Sequence, residues 1–141
     1  MKIVLDSNVL LVALGRKSRY RPIWDAFIAG KCQLVISEDV IYEYEEILRQ
    51  YSAANVADIV LEIFLESPDV IYQRVYYNWN AITHDPDDNK FFDIAIASNA
   101  DYIVTNDAHF NEVSKLHFPS VKIISAEKFL DIIEPVRKQR R

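Results

Sequence analysis

The chain is 141 residues long, 50% hydrophobic, with a formal net charge of −5 and a single cysteine, Cys32. That length supports one folded domain with its own core, and one cysteine excludes an internal disulfide, which suits a reducing cytoplasm. Arg137, Lys138, Arg140 and Arg141 supply +4, leaving about −9 on residues 1–136; a body this acidic is not a general nucleic-acid coat, which is usually basic.

Ile3 to Leu5 reads as a first strand: a short apolar run that ends on a carboxylate, Asp6, with an amide, Asn8, two residues on. Val9 to Leu14 continues into a helix, with Ser7 or Asn8 as its cap. Gly15 to Pro22 is a polar loop carrying Arg16, Lys17, Arg19 and Arg21. Ile23 to Ala29 reads as a helix stopped by Gly30, and Gln33 to Ile36 as a second strand. Ser37 caps a helix in which Val40, Ile41, Tyr44, Ile47 and Leu48 recur at helical spacing. Ala53 to Leu65 is a further helix, ended by Ser67-Pro68. Val70 to Tyr77 is rich in β-branched and aromatic residues and is expected to be extended.

His84 to Asn89 reads as a loop and helix start, and Phe91 to Ala97 as a helix apolar around most of its circumference. Asp101 to Thr105 is a strand with Asn106-Asp107 at its exit. Val121 to Ile124 is the last strand, and Ser125 caps a closing helix over Ala126 to Ile133. This order predicts an α/β fold with a mostly parallel sheet covered on both faces. Residues 1–134 form the expected domain and 135–141 a basic tail, a solvated end or an electrostatic handle. The start of the chain shows no secretory pattern, and no apolar run reaches the roughly 18 residues of a membrane span, so no membrane partner is expected.

The chemistry lies in the acids. Asp6 and Asp107 each follow a predicted strand, and open parallel sheets place ligands at their carboxyl edge. Glu43 flanks the apolar stripe of its helix, as Glu45 does on the other side, and helical geometry does not choose between them. Asp88 and Asp93 lie five positions apart, roughly 140° around a helix, and face different ways if both are helical. Carboxylates converging without Lys or Arg partners repel one another, and a divalent cation relieves that. Each also has a plainer role open to it: Asp6 as a turn or cap residue, Asp107 as the N-cap of a short helix over Ala108 to Val113, Glu43 as a solvated helix carboxylate, Asp88 as a helix N-terminal charge. The histidines His84, His109 and His117 match no compact zinc pattern. With only Gly15 and Gly30, no glycine-rich phosphate loop is present.

Four segments, in order and at suitable spacing, resemble the PIN-domain ribonuclease family: Ile3 to Leu10, Ser37 to Glu43, Asp93 to Ala100, and Asp101 to Asp107. The upstream run Asp85-Pro86-Asp87-Asp88-Asn89-Lys90 resembles a subgroup described as toxins of bacterial toxin–antitoxin pairs. The resemblance spans nearly the whole chain. It implies a three-layer α/β/α sandwich, and Mg²⁺ or Mn²⁺ held by Asp6, Glu43, Asp88 or Asp93, and Asp107, which form the catalytic set. Endonucleolytic cleavage of single-stranded RNA is implied, with water as nucleophile, and with Asn8 and Thr105 orienting carboxylates or water. A toxin neutralised by an antitoxin is the leading expectation. A housekeeping RNA-processing nuclease without an antitoxin is the alternative; a silent binding module fits less well with an intact set of acids.

Arg16, Lys17, Arg19 and Arg21, interleaved with Tyr20 and Trp24, suit phosphates and bases of single-stranded RNA, although Trp24 equally suits the core. Tyr76, Tyr77 and Trp79 are candidates for an interface, in keeping with an expected homodimer, or for ordinary packing.

Overall fold

The computed structural model describes residues 1–134; the basic tail at 135–141 lies outside them. In chain order the elements are β1 (Lys2–Leu5), α1 (Ser7–Ala13), α2 (Arg21–Ile28), β2 (Gln33–Ile36), α3 (Glu38–Tyr51), α4 (Val56–Glu66), β3 (Val70–Tyr72), α5 (Asn89–Ser98), β4 (Tyr102–Val104), α6 (Asn111–Ser114), β5 (Lys122–Ile124) and α7 (Ala126–Ile133). Short 3₁₀ turns over Pro86–Asp88 and Ala108–Phe110 precede α5 and α6.

The five strands form one sheet in the order β3-β2-β1-β4-β5, and every pairing is parallel. Helices cover both faces in a three-layer α/β/α arrangement. Ile3, Val4 and Leu5 are fully buried at the centre. A strand buried on both faces cannot alternate polar with apolar residues, so it reads as a continuous hydrophobic run. The chain leaves β1 toward β2 on one side and later returns to pair β4 on the other. The crevice at a topological switch point opens at the carboxyl ends of the strands on either side of it, here β1 and β4.

Several local expectations are seen. Ser37 and Ser125 accept backbone hydrogen bonds from Val40 and Lys128 at the starts of α3 and α7. Gly30 ends the α2 turn at φ +77°, where a Cβ would sit 3.3 Å from Asp69 Oδ2. Trp24 is core, packed at 5.3 Å from Phe27 and 6.1 Å from Phe64 between ring centroids.

Other boundaries move for physical reasons. Helix α1 begins at Ser7, so Asp6 rather than Ser7 or Asn8 occupies the cap position; its carbonyl accepts from Leu10 N at 3.0 Å while its carboxylate points elsewhere. Helix α2 starts at Arg21, because Pro22 fits the first helical turn, and so absorbs part of the basic loop. Helix α4 starts at Val56 rather than Ala53. The extended run expected to Tyr77 leaves the sheet after Tyr72. Strand β3 pairs with β2 alone, β2 ends at Ile36, and Gln73 N on Ile36 O (2.8 Å) is the last ladder bond.

Candidate active site

Asp6 follows β1 and Thr105 follows β4, adjacent in register because Leu5 pairs with Val104. Thr105 Oγ1 donates to Asp6 Oδ2 at 2.8 Å and accepts from Asp107 N at 3.0 Å. One buried hydroxyl therefore orients one acid and positions the backbone of the next. Beneath them the buried Tyr44 hydroxyl donates to the Leu5 carbonyl. Burial, with the fields of Asp6 and Glu43, keeps that phenol protonated well above its usual range, so it stays a donor.

Glu43, one residue before Tyr44 on α3, accepts from Ser7 Oγ, and its Oε1 lies 2.9 Å from Lys90 Nζ. Its helix neighbour Glu45 instead pairs with Arg49 at 2.7 Å. The tertiary fold thus makes the choice between the two that helical geometry leaves open. Lys90 also corrects the premise that the cluster has no basic partner: its ammonium offsets one charge.

Asp88 ends the 3₁₀ turn that runs into α5 and is buried. Among the described residues its Oδ2 has no hydrogen-bond partner. Burial raises its carboxyl to about 7, helped by Asp85, Asp6, Asp107 and Glu43. Asp6 is also raised, chiefly by burial and then by Asp107 and Glu43, against the lowering bond from Thr105. Asp6, Glu43, Asp88 and Asp107 are therefore brought within reach of one another's fields.

Asp93 is not part of that group. Its Oδ1 accepts from Trp79 N at 3.1 Å, and burial, eased by that bond, raises its carboxyl. It anchors the strap that follows β3. Asp107 takes the N-cap role foreseen for it. Its Oδ1 caps the next turn through His109 N (2.9 Å), and its charge reaches Asp6 and Asp88.

His109 is the residue that sequence reasoning missed. Its Nδ1 lies 3.4 Å from Asp107 Oδ1, 3.7 Å from Asp88 Oδ2 and 3.9 Å from Asp85 Oδ2. Ligand atoms of Asp85, Asp88 and His109 all fall within 4.8 Å of one another. Its ring stacks on His84 at 6.2 Å. A buried carboxylate oxygen without a hydrogen bond among the described residues, on a carboxyl raised first by burial and then by neighbouring acids, is a donor suited to a hard divalent cation.

Asn8 is exposed beside this group. Of the basic loop, Arg16, Lys17 and Arg19 are exposed, but Arg19 pairs with Glu127 of α7. Arg21 is committed to Leu14 O at 2.6 Å and Asp25 at 3.1 Å. Trp79 packs against Tyr77 at 4.6 Å and against the exposed Phe118 at 5.9 Å; Tyr76 is also exposed.

A doubly wound α/β/α domain whose carboxylates gather where β1 and β4 end defines the class. A family profile described as PIN domain matches residues 2–109. The chain belongs to the PIN domain family, a family of nucleases. That match stops short of β5 and α7. A solved structure described as VapBC2 from Rickettsia felis bound to a DNA fragment from their promoter is similar in fold. Its TM-score is 0.60 at 20% identity, over 89% of this chain and 98% of that one. No curated protein matches the chain.

Proposed function

We propose that this protein is an endoribonuclease that hydrolyses phosphodiester bonds of single-stranded RNA with Mg²⁺ or Mn²⁺ held by Asp6, Glu43, Asp88 and Asp107. The observation that carries the reading is the buried Asp88 Oδ2, without a hydrogen bond among the described residues, on a carboxyl raised to about 7 beside the other acids. A divalent cation bound there supplies Lewis acidity toward the phosphodiester and toward attacking water. The chain's own residues prepare the site. Thr105 fixes the Asp6 carboxylate, Ser7 and Lys90 hold Glu43 in place, and Asp107 presents its charge while bracing the turn that carries His109. Asp93 takes a positioning role through Trp79 rather than the third ligand place.

The reading extends to a toxin countered by an antitoxin protein, supported by the Asp85 to Lys90 run and by likeness in fold to a protein named VapBC2. A homodimer is proposed with it, and exposed Tyr76, Tyr77 and Phe118 are surfaces it can use. Among the described residues no helix is long and apolar enough to cross a membrane.

Purified protein with Mn²⁺ is expected to cut single-stranded RNA internally and to lose that activity with EDTA and in Asp6→Asn. Equal cutting by parent and Asp6→Asn overturns the site assignment.

A further inference from the structure

Beside the carboxylates lies a recess of about 250 Å³, lined by Asp6, Asn8, Val9, Val12, Tyr20, Asn106 and Asp107. We propose that it receives one unpaired nucleobase next to the scissile phosphate, stacked on Tyr20, and that this is why the substrate is single-stranded. The proposal rests on the nuclease reading for the place of the phosphate.

The walls differ in chemistry. Asp6 and Asp107 form the end shared with the candidate cation site. The lining also takes in Val9 and Val12, three positions apart on one side of α1, and Tyr20 from the loop before α2. Val12 keeps 45% exposure, a solvent-facing apolar side chain a few residues from a cluster of acids. Two amides complete the lining. Asn106 Oδ1 is already taken by Ala126 N at 3.0 Å, and among the described residues its Nδ2 carries no hydrogen bond. That amide end is a donor suited to an acceptor on a base edge.

The main chain at Tyr20 is held, and its ring has one charged neighbour. Its N–H donates to Ser18 Oγ at 3.1 Å, and its carbonyl accepts from Ile23 N at 2.9 Å. The Arg19 guanidinium sits over the ring at 5.7 Å from its centroid and is itself paired with Glu127 of α7. An aromatic on a main chain fixed in this way stacks a base at little further entropic cost.

Size and polarity select the occupant. The volume falls below the roughly 300 Å³ at which pockets for drug-sized ligands begin, so it takes one planar ring system and little more. A nucleotide has the matching parts: a phosphate for the candidate cation site that Asp6 and Asp107 share, and a flat base with acceptor edges for the apolar and amide lining. A paired base is stacked within its duplex and cannot enter, whereas a base in a loop or single strand can splay out.

The test uses short single-stranded oligoribonucleotides whose cleavage position with Mn²⁺ has been mapped on the parent protein. One series carries a single abasic residue at successive positions around the cut. A second carries 2-aminopurine at the same positions, with Ca²⁺ in place of Mn²⁺ to read binding. For the parent, an abasic residue at one flanking position is expected to lower kcat/KM about tenfold. Tyr20→Ala should start about tenfold lower and show no further loss at that position. Val12→Trp, which fills the recess from an exposed helix position, should behave in the same way. The parent should quench 2-aminopurine at that position and Tyr20→Ala should not.

An abasic penalty of equal size in parent and Tyr20→Ala, or no penalty at any position, overturns the recess while leaving the nuclease reading intact. A parent that shows Tyr20-dependent quenching but cuts nothing with Mn²⁺ overturns the nuclease reading and supports the recess. Neither cutting nor quenching overturns both.

Discussion

Lys90 Nζ lies 2.9 Å from Glu43 Oε1, and both side chains are largely buried at the edge of the acidic crevice. A cation supplied by the protein thus occupies part of the space where a divalent ion is expected to act. The two charges compete for the same carboxylate, which gives Lys90→Met effects of opposite sign. Without metal, Glu43 loses its ammonium among other acids, and stability should fall by about 1–3 kcal/mol, read from denaturant unfolding. With metal, the competing charge is gone, and the Mn²⁺ affinity read by calorimetry should rise.

Asp6→Asn separates charge from shape. The amide oxygen still accepts from Thr105 Oγ1, while the raised carboxyl shows that ionised Asp6 is disfavoured where it sits. Its melting temperature without metal should equal or exceed that of the parent. A clearly lower value counts against a cluster of repelling charges.

Asp88→Asn and Asp93→Asn should part company. Among the described residues Asp88 has a carboxylate oxygen without a hydrogen bond, set beside other acids, so its amide variant is expected to lose at least a hundredfold in Mn²⁺-dependent cutting. Asp93→Asn keeps an acceptor for Trp79 N and should retain most activity; Asp93→Ala should destabilise by about 1–3 kcal/mol. Parallel kinetics and unfolding curves on the three variants decide it.

The raised Asp88 carboxyl makes the metal-free protein sensitive to pH. Its folded value of about 7 lies above the usual 3.8, so the folded state holds the proton more tightly. Stability from this group is full below about pH 4 and is lost as pH rises through 7. A divalent cation needs the ionised form, so Mn²⁺ affinity should weaken as pH falls below 7. Asp88→Asn should flatten the stability trend in metal-free melts.

Glu112 of α6 accepts from Thr83 N (2.9 Å), from the Thr83 hydroxyl and from His84 N (3.3 Å), which ties down the loop that leads to Asp88. The Thr83 hydroxyl first, then the His84 imidazole (Nδ1 3.0 Å from Oε2) and the backbone bonds lower its carboxyl to about 2 from 4.5. The stability it gives is present above pH 4.5 and disappears as pH falls through 2. Glu112→Gln should therefore unfold earlier than the parent at neutral pH, with the two curves merging in acid.

What could be read from residues alone follows from how far each feature depends on distant chain. Strands β1 and β4 are continuous apolar runs ending on acids because they are buried on both faces, so Asp6 and Asp107 were legible at their exits. Ser37 and Ser125 were legible as caps because capping is a local geometry. The end of β3 was not, since it is set by where its partner β2 stops. The difference between Asp88 and Asp93 lies in a 3₁₀ turn and a bond to Trp79, neither of which helical spacing expresses. Glu43 meets Ser7 and Lys90 from 36 and 47 positions away, and His109 meets Asp88 only because two turns face each other.

The central strand is the first one synthesised, and Thr105, which holds Asp6, is made 99 positions later. A nascent chain still on the ribosome short of β4 possesses Asp6, Glu43 and Asp88 but neither that hydroxyl nor Asp107. The order of translation therefore delays assembly of the acidic group until β4 and the residues after it have emerged, and any product truncated before that strand is born without it.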